Sequence, residues 1–586
     1  MDWLFMNYKK KQMKKTITLF AITLCLSTVT AQTINFVNNS DKPIARSASS
    51  VALDGDFVYI SNGFSATNQS TSEIEKYGVG SDTWSIVPTA VPTIAKRYGN
   101  SEILSGNLYL FNGETTQGLA NDKLEIVNLF NGNLTVNSIL NPNPVINGGS
   151  AAWGDYFMVF GGCTNKFNAN YSKKLYKLDP YGNWFQLADM PVALETKGKA
   201  IYGNGNNSKL YFFGGYNETN KIAENFETVA VTGSLSLSNW QNVAETGTKL
   251  FEGKQFNANK YAQFNAFSSV VASQEPSNIA WLISDEITSS TTSDVFLNFD
   301  TKDGYNNGPV LEAYVISNWT GNIATATKTL LNATISNVAP STGYADNFTN
   351  SGAISLAGQP NTFRIGFKYT GGYVPIQRTT SIQIDNIRVY KSFSSNSIMI
   401  YDIANNTWST SNTTMPQPIS AHSVAVNSYD FNTTKIYVSG DYDNQTFVGV
   451  YNTTNDNFTT LNQTNMIGRR HHASEIWGNK LYLFGGNTTP STSSVLNSTQ
   501  SADLPLLSNE NFEVNQQVVF FPNPASDLIL VQDEIITASL YSIDGKKINT
   551  PLIGNEINIS NLSNGMYLFE GITKNGTIIS KKLIKK

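Results

Sequence analysis

The chain has 586 residues, 12% of them aromatic and only 14% charged, with a net charge of −4 at pH 7. That balance is too small and too mixed for nucleic-acid binding as the main task; it fits an all-β extracellular protein kept soluble by neutral polar side chains. Only Cys25 and Cys163 occur, and removal of a leader carrying Cys25 leaves one thiol, so packing rather than disulfides must supply the stability.

Residues 1–31 read as a signal peptide. Lys9 to Lys15 supply positive charge, Ile17 to Leu26 an apolar run, and Val29-Thr30-Ala31 a small-residue cleavage site between Ala31 and Gln32. The apolar run is too short to span a bilayer with these flanks. Met6 and Met13 are alternative starts, and no cysteine stands at the cleavage point for lipid attachment.

From Gln32 onward, a short apolar strand runs into a glycine turn six times, at Gly63, Gly113, Gly162, Gly215, Gly440 and Gly486. Four of the spacings are 50, 49, 53 and 46 residues, and the fifth is 225. Each turn is followed by two large apolar residues about seven positions apart: Tyr77/Trp84, Val127/Leu134, Leu178/Trp184, Tyr401/Trp408 and Tyr451/Phe458. Turn-forming stretches separate the members of each pair, which predicts a hairpin of third and outer strands. The sixth unit lacks its outer strand, with its third strand expected at Ser493 to Ser498. Ile34-Asn35-Phe36 is expected to supply the missing strand and cover both sheet edges. A period near 50 with this signature predicts a six-bladed β-propeller of four-stranded blades. The units resemble Kelch repeats over residues 32–222 and 393–498, with FGG intact in some and reduced to NG or SG in others.

The 225-residue gap holds an insertion over residues 223–392, between the second and third strands of the fourth unit. Its segments YAQFNAF, DVFLNFDT, LEAYVISNW, FRIGFKY and SIQIDNIRVY alternate as half-buried strands, predicting a β-sandwich on the face where the inner strands begin. The stretches Glu224–Glu227, Ser238–Val243, Lys260–Phe264, Ala280–Ser284, Phe299–Gly308 and Ile384–Tyr390 resemble the choice-of-anchor J type of jelly roll. That resemblance implies adhesion or glycan contact, and a structural calcium ion with Glu227, Asp303 and Asp385 as candidate oxygen ligands.

A compositional break rich in Ser, Thr and Pro runs from Thr488 to Val514, and residues 499–514 read as a linker. Residues 515–586 form a small strand-only domain of Ig-like β-sandwich type. Pro522-Asn523-Pro524, Asp544-Gly545-Lys546 and Gly565-Met566-Tyr567, followed by a basic end, resemble the type A sorting domain of the type IX secretion system. The resemblance implies export to the outer surface or medium, with the type IX machinery as partner and the tail removed on arrival.

Catalytic constellations are thin. Copper oxidases of the galactose oxidase type share the repeat, but need histidine and tyrosine ligands and a cysteine crosslinked to tyrosine. Here the histidines are His422, His471 and His472, and the adjacent pair, read as strand residues, is expected to point to opposite sides. One basic series recurs before the turn glycines: Arg46, Arg97, Lys197, His422 and Arg470. Placed around an axis, these side chains would receive a carboxylate or sulfate of an acidic sugar. The expected function is therefore a secreted or cell-surface binding or adhesion protein that contacts glycan or protein. The alternative is a carbohydrate-active enzyme (hydrolase, lyase or epimerase) with its pocket at the channel mouth.

Overall fold

The computed structural model describes residues 33–504 and 520–586, apart from 68, 138–139, 202–207, 428–432, 490–493, 532–534, 543–545, 549–551, 554 and 574–577. The signal-peptide reading, with Ala31 and Gln32, lies outside these residues. The protein is all-β; the one helix among the described residues is a 3-10 turn at Val271–Ser273. Contacts divide it into two units, one ending at Leu504 and one starting at Pro505.

In the first unit, six antiparallel four-strand sets follow one another; the fourth continues into a ten-stranded sheet, and the sixth gains a short fifth strand, Asn462–Thr464, parallel to Thr33–Asn39. The first is Ser50–Asp54, Phe57–Ser61, Ile74–Gly78 and Thr83–Ile86. The others open with Asn100–Leu104, Gly149–Trp153, Glu195–Ile201, Ser423–Ala425 and Ala473–Trp477. The five apolar pairs foreseen above stand directly opposite each other, Tyr77 facing Trp84 and Tyr401 facing Trp408 among them. Their bulk is used between sheets. Trp84 meets Phe484 edge-on at 5.9 Å, and Trp184 meets Phe111 edge-on at 6.3 Å. A separate buried apolar cluster fills each interface between neighbouring sheets, and the last joins the sixth sheet to the first.

The opening strands of the six sheets touch in cyclic order, that of the first meeting that of the sixth. Backbone hydrogen bonds reinforce this order. Asn147 donates to Tyr98 O, Tyr98 to Ala48 O, Ala48 to His471 O and His471 to Ala421 O, at 2.7 to 3.0 Å. Each of these five residues has a positive φ near 50° and stands two positions before an opening strand. The turn glycines lie under this belt. Gly113 has φ +93, and a Cβ there would meet Arg97 O at 2.8 Å; Gly486 stands in the same relation to Arg470 O. Only glycine fits so close an approach.

Thr33–Asn39 forms the outer strand of the sixth sheet, antiparallel to Thr499–Asp503, with Phe36 opposite Ala502. That third strand corrects the expected position at Ser493 to Ser498 and removes Thr499–Asp503 from the linker. Its Gln500 and Ala502 are buried like any inner sheet residue, which a scan for large apolar residues cannot see.

The insertion is welded in rather than looped out. Lys209–Glu224 is a single 16-residue strand: its first part lies in the fourth sheet, and Tyr216 to Glu224 pair with Ser381–Ser394. The boundary is thus a continuous ribbon and not a break at Ala223. One sheet of the sandwich carries Glu252–Phe256, Asn259–Phe264, Ser381–Ser394 and Val295–Gly304. The facing sheet carries Trp240–Thr246, Asn278–Ser284, Thr362–Gly371, Leu311–Ser317 and Thr327–Leu330. Phe264, Phe299 and Ile384 from the first meet Leu282, Ile365 and Phe367 from the second in a common core.

The second unit has two four-stranded sheets around Ile529, Leu540, Ile557, Phe569 and Leu583. Pro522, Asn523 and Pro524 form its first turn, where Asn523 Oδ1 accepts the Ile584 amide at 2.9 Å. Gly565, Met566 and Tyr567 begin the strand Gly565–Thr573, paired to the basic final strand Ile578–Lys585. Lys546 closes a hairpin through its carbonyl, which accepts the Ser542 amide; Asp544 and Gly545 lie outside the described residues.

Candidate functional site

Where the sandwich faces the belt, a cavity of about 500 Å³ opens. Tyr98 and Tyr442 come from the six-sheet body, Phe296 and Tyr390 from the sandwich. The sandwich pair is stacked, with ring centroids 5.8 Å apart and planes 25° apart. Tyr98 is held at its back by His471, edge-on at 5.2 Å, and Tyr442 by the Arg470 guanidinium at 4.2 Å. Aromatic surface on two sides with polar groups between them suits a ligand that is apolar on its faces and hydroxylated at its edges.

Two carboxylates stand between the walls, each already matched to a cation. Glu195 lies 3.4 Å from Lys166 Nζ and accepts from Asn147 Nδ2 at 2.6 Å. Burial opposes the Lys166 charge, but Glu195 and its acidic neighbours outweigh that and raise its pKa. Glu218 accepts from Tyr216 Oη at 2.8 Å and pairs with Arg388. Burial, reinforced by Glu218, raises the Tyr216 phenol far above its ordinary value, so it stays a neutral donor.

Below, the cavity narrows into a well shared by all six sheets, with Tyr98, Asn147, Glu195, Ala421 and His471 common to both levels. All three histidines of the chain line it. His471 and His472 precede the strand Ala473–Trp477 rather than lying on it, with a left-handed turn at His471 (φ +49), which corrects the strand placement assumed for them. The His471 ring packs on Tyr98 and the His472 ring bonds Ser439 Oγ at 2.9 Å. Burial, and then nearby cations, pull the pKa of His422 and His471 down to about 3, so both are neutral imidazoles.

The basic series divides. Arg46 is fully buried: Nη2 lies 3.0 Å from Glu75 Oε2, and Nη1 donates to Asn62 O, Thr71 Oγ1 and Glu73 O. It locks a connector over the first sheet, as the fully buried Lys96–Glu125 pair does over the second. Arg97 is bonded to Glu114 at 2.6 Å, and Arg470 backs Tyr442. Lys197 and His422 do meet, in the well. Spacing alone could not separate them, because the same chain position serves connector locking in one sheet and lining in another.

The three calcium candidates are each engaged by the protein's own donors. Asp303 accepts hydrogen bonds from Ser336 Oγ, Val338 N, Ala339 N and Asn306 Nδ2, which occupy its oxygens. Asp385 accepts from Asn259 and Asn386, and Glu227 from the Lys260 amide. No group of three or more His, Cys, Asp or Glu suited to a metal ion occurs among the described residues. Sequence reasoning missed Tyr98, Phe296, Tyr390 and Tyr442, whose scattered positions meet only through the ribbon. Tyr98 directly follows Arg97 as His471 follows Arg470, which was the available signal for Tyr98.

Residues 519–586 match the family model described as the secretion system C-terminal sorting domain. The chain is therefore exported by type IX secretion to the cell surface or beyond, and its tail engages that machinery. No helix among the described residues is long and apolar enough to cross a membrane. No curated protein matches the chain. Among solved structures, the chain is similar to one titled "Structure of YjhT", at 10% identity and a TM-score of 0.39, over 79% of this chain and 96% of that one.

Proposed function

We propose that this surface-delivered protein is a glycan-binding adhesion module, built as a six-bladed Kelch-like propeller with an inserted choice-of-anchor J-like jelly roll. Six sheets whose opening strands touch in cyclic order, with the outer strand of the sixth supplied by Thr33–Asn39, support the propeller reading. Two facing sheets around one core support the jelly roll. The observation that carries the function is the cavity between them, with Tyr98 and Tyr442 on one wall and Phe296 and Tyr390 on the other. Sugar rings present C–H faces to aromatic rings and hydroxyls to the polar groups between them.

The test is a glycan array probed with residues 33–504, run beside a hydrolysis assay on every glycan bound. The expected result is binding without turnover, weakened about tenfold or more by Tyr390→Ala and by Tyr442→Ala, since stacked aromatic anchors dominate such contacts. Cleavage of a bound glycan at enzymatic rates would replace this reading with that of a carbohydrate-active enzyme using Glu195 and Glu218.

A further inference from the structure

Two groups in the well below the cavity have no ionic partner of their own among the described residues. The Lys197 ammonium donates to Gly148 O at 2.8 Å, and it forms no ion pair among the described residues. Glu195, on the same strand, is close enough to favour the charge, but its own nearest cation is Lys166. Beside Lys197, the His422 side chain is 3% exposed, and neither ring nitrogen has a hydrogen-bond partner of good geometry among the described residues. The Phe213 backbone lies close enough to favour the protonated imidazole, though burial outweighs it. A part-buried cation without an ion pair and a buried imidazole without a well-aligned partner are costly beside each other, and each becomes favourable when an oxyanion arrives. Their positions fit this role. Lys197 lies on Glu195–Ile201 and His422 just before Ser423–Ala425, so neighbouring sheets converge on one point under the aromatic walls.

We infer that this well is an anion subsite, taking a carboxylate or sulfate group on the glycan, with Lys197 as the charge partner and His422 as a neutral hydrogen-bond donor. The inference rests on the glycan-binding reading for its ligand. The well holds about 40 Å³, which limits the guest to one small group and leaves the sugar ring above it, between Tyr98 and Tyr390. His422 is neutral at physiological pH, so it contributes an N–H without repelling Lys197. Burial pulls Lys197 down to about 8, against the influence of Glu195, and an anion at hydrogen-bond distance would favour its charged form.

The experiment measures binding of three oligosaccharide sets of matched length, neutral, uronate-containing and sulfated, to the 33–504 protein and to Lys197→Met, His422→Gln and Tyr390→Ala. In parallel, glucuronate and inorganic sulfate are titrated into wild-type protein labelled at histidine, and the imidazole signals are followed. The expected result is a preference for one or both acidic sets, lost about 10- to 100-fold in Lys197→Met, with neutral binding unchanged and a saturable shift of His422. Tyr390→Ala should weaken all sets alike. If neutral glycans bind as tightly as acidic ones and Lys197→Met changes nothing, the subsite is wrong while the glycan reading stands. If no oligosaccharide binds, the glycan reading falls. The titration then decides the subsite independently: a saturable His422 shift upholds an oxyanion site, and none overturns it. Because that arm uses wild-type protein, misfolding of a variant cannot mimic either outcome.

Discussion

Lys199 Nζ lies 3.0 Å from Glu475 Oε1, so the opening strands of the fourth and sixth sheets are tied across the fifth by one ion pair on the axis. Glu102, from the second sheet, adds to the field, and it and Glu475 together outweigh the burial that opposes the Lys199 charge. Burial pushes Glu102 up to about 7. The Lys199→Met variant leaves buried carboxylates without their cation and should cost about 3–5 kcal/mol, the usual result of breaking a buried pair. The double variant Lys199→Met/Glu475→Gln should recover part of that loss. Urea unfolding of the 33–504 protein checks both; equal stability of the single variant and wild type would refute the axial role.

Phe36, 1% exposed, fills the cluster between the fifth and sixth sheets from the far end of the chain. Phe36→Ala should lower stability by about 3–5 kcal/mol. Removing Thr33–Asn39 altogether should go further and expose the edge of Thr499–Asp503, producing concentration-dependent association visible by light scattering.

Two aspartates of the sandwich respond to acid with opposite sign. At Asp385, burial raises the pKa to about 6 from 3.8, so the folded state holds its proton more tightly than the unfolded chain. Its contribution is full at low pH and is lost as pH rises from about 4 through 6. At Asp303, burial works against ionisation, but the bonds from Ser336, Ala339, Val338 and Asn306 outweigh it and hold the pKa below 3.8. That contribution is present above 3.8 and is lost as pH falls through the depressed value. Thermal unfolding between pH 4 and 7 should show the Asp385→Asn variant gaining relative to wild type as pH rises. The Asp303→Asn variant should be destabilised throughout that range.

Deleting residues 520–586 should leave the six-sheet body and sandwich folded but stop delivery beyond the outer membrane, with the product held in the periplasm. Cell fractionation with an antibody to the body reads the outcome directly; surface display of the truncated chain would contradict it.

Strand order and pairing were legible where the chain repeats a hydrophobic rule. Tyr77/Trp84 and its relatives announced their register because large groups between sheets cannot be replaced by small ones without a void. The third strand of the sixth sheet escaped because Thr499, Gln500 and Ser501 are buried polar residues, Gln500 accepting from Arg469 at 2.9 Å. The site was half legible. Lys197 and His422 stood out by spacing, whereas Arg46 shared that spacing and serves the core. Tyr390 and Phe296 could not be foreseen, because their meeting with Tyr98 depends on how far Lys209–Glu224 carries the sandwich before it turns.

That unbroken strand also decides how the molecule bears load. A pull on the sandwich, as from a captured surface moving in flow, would travel down Lys209–Glu224 into the fourth sheet. There Lys209 to Phe213 are hydrogen-bonded on both sides, to Glu195–Ile201 and to Ser397–Asp402. Force along a strand strains all those bonds together instead of unzipping them in sequence, so the junction should resist tension as a tether rather than yield as a hinge.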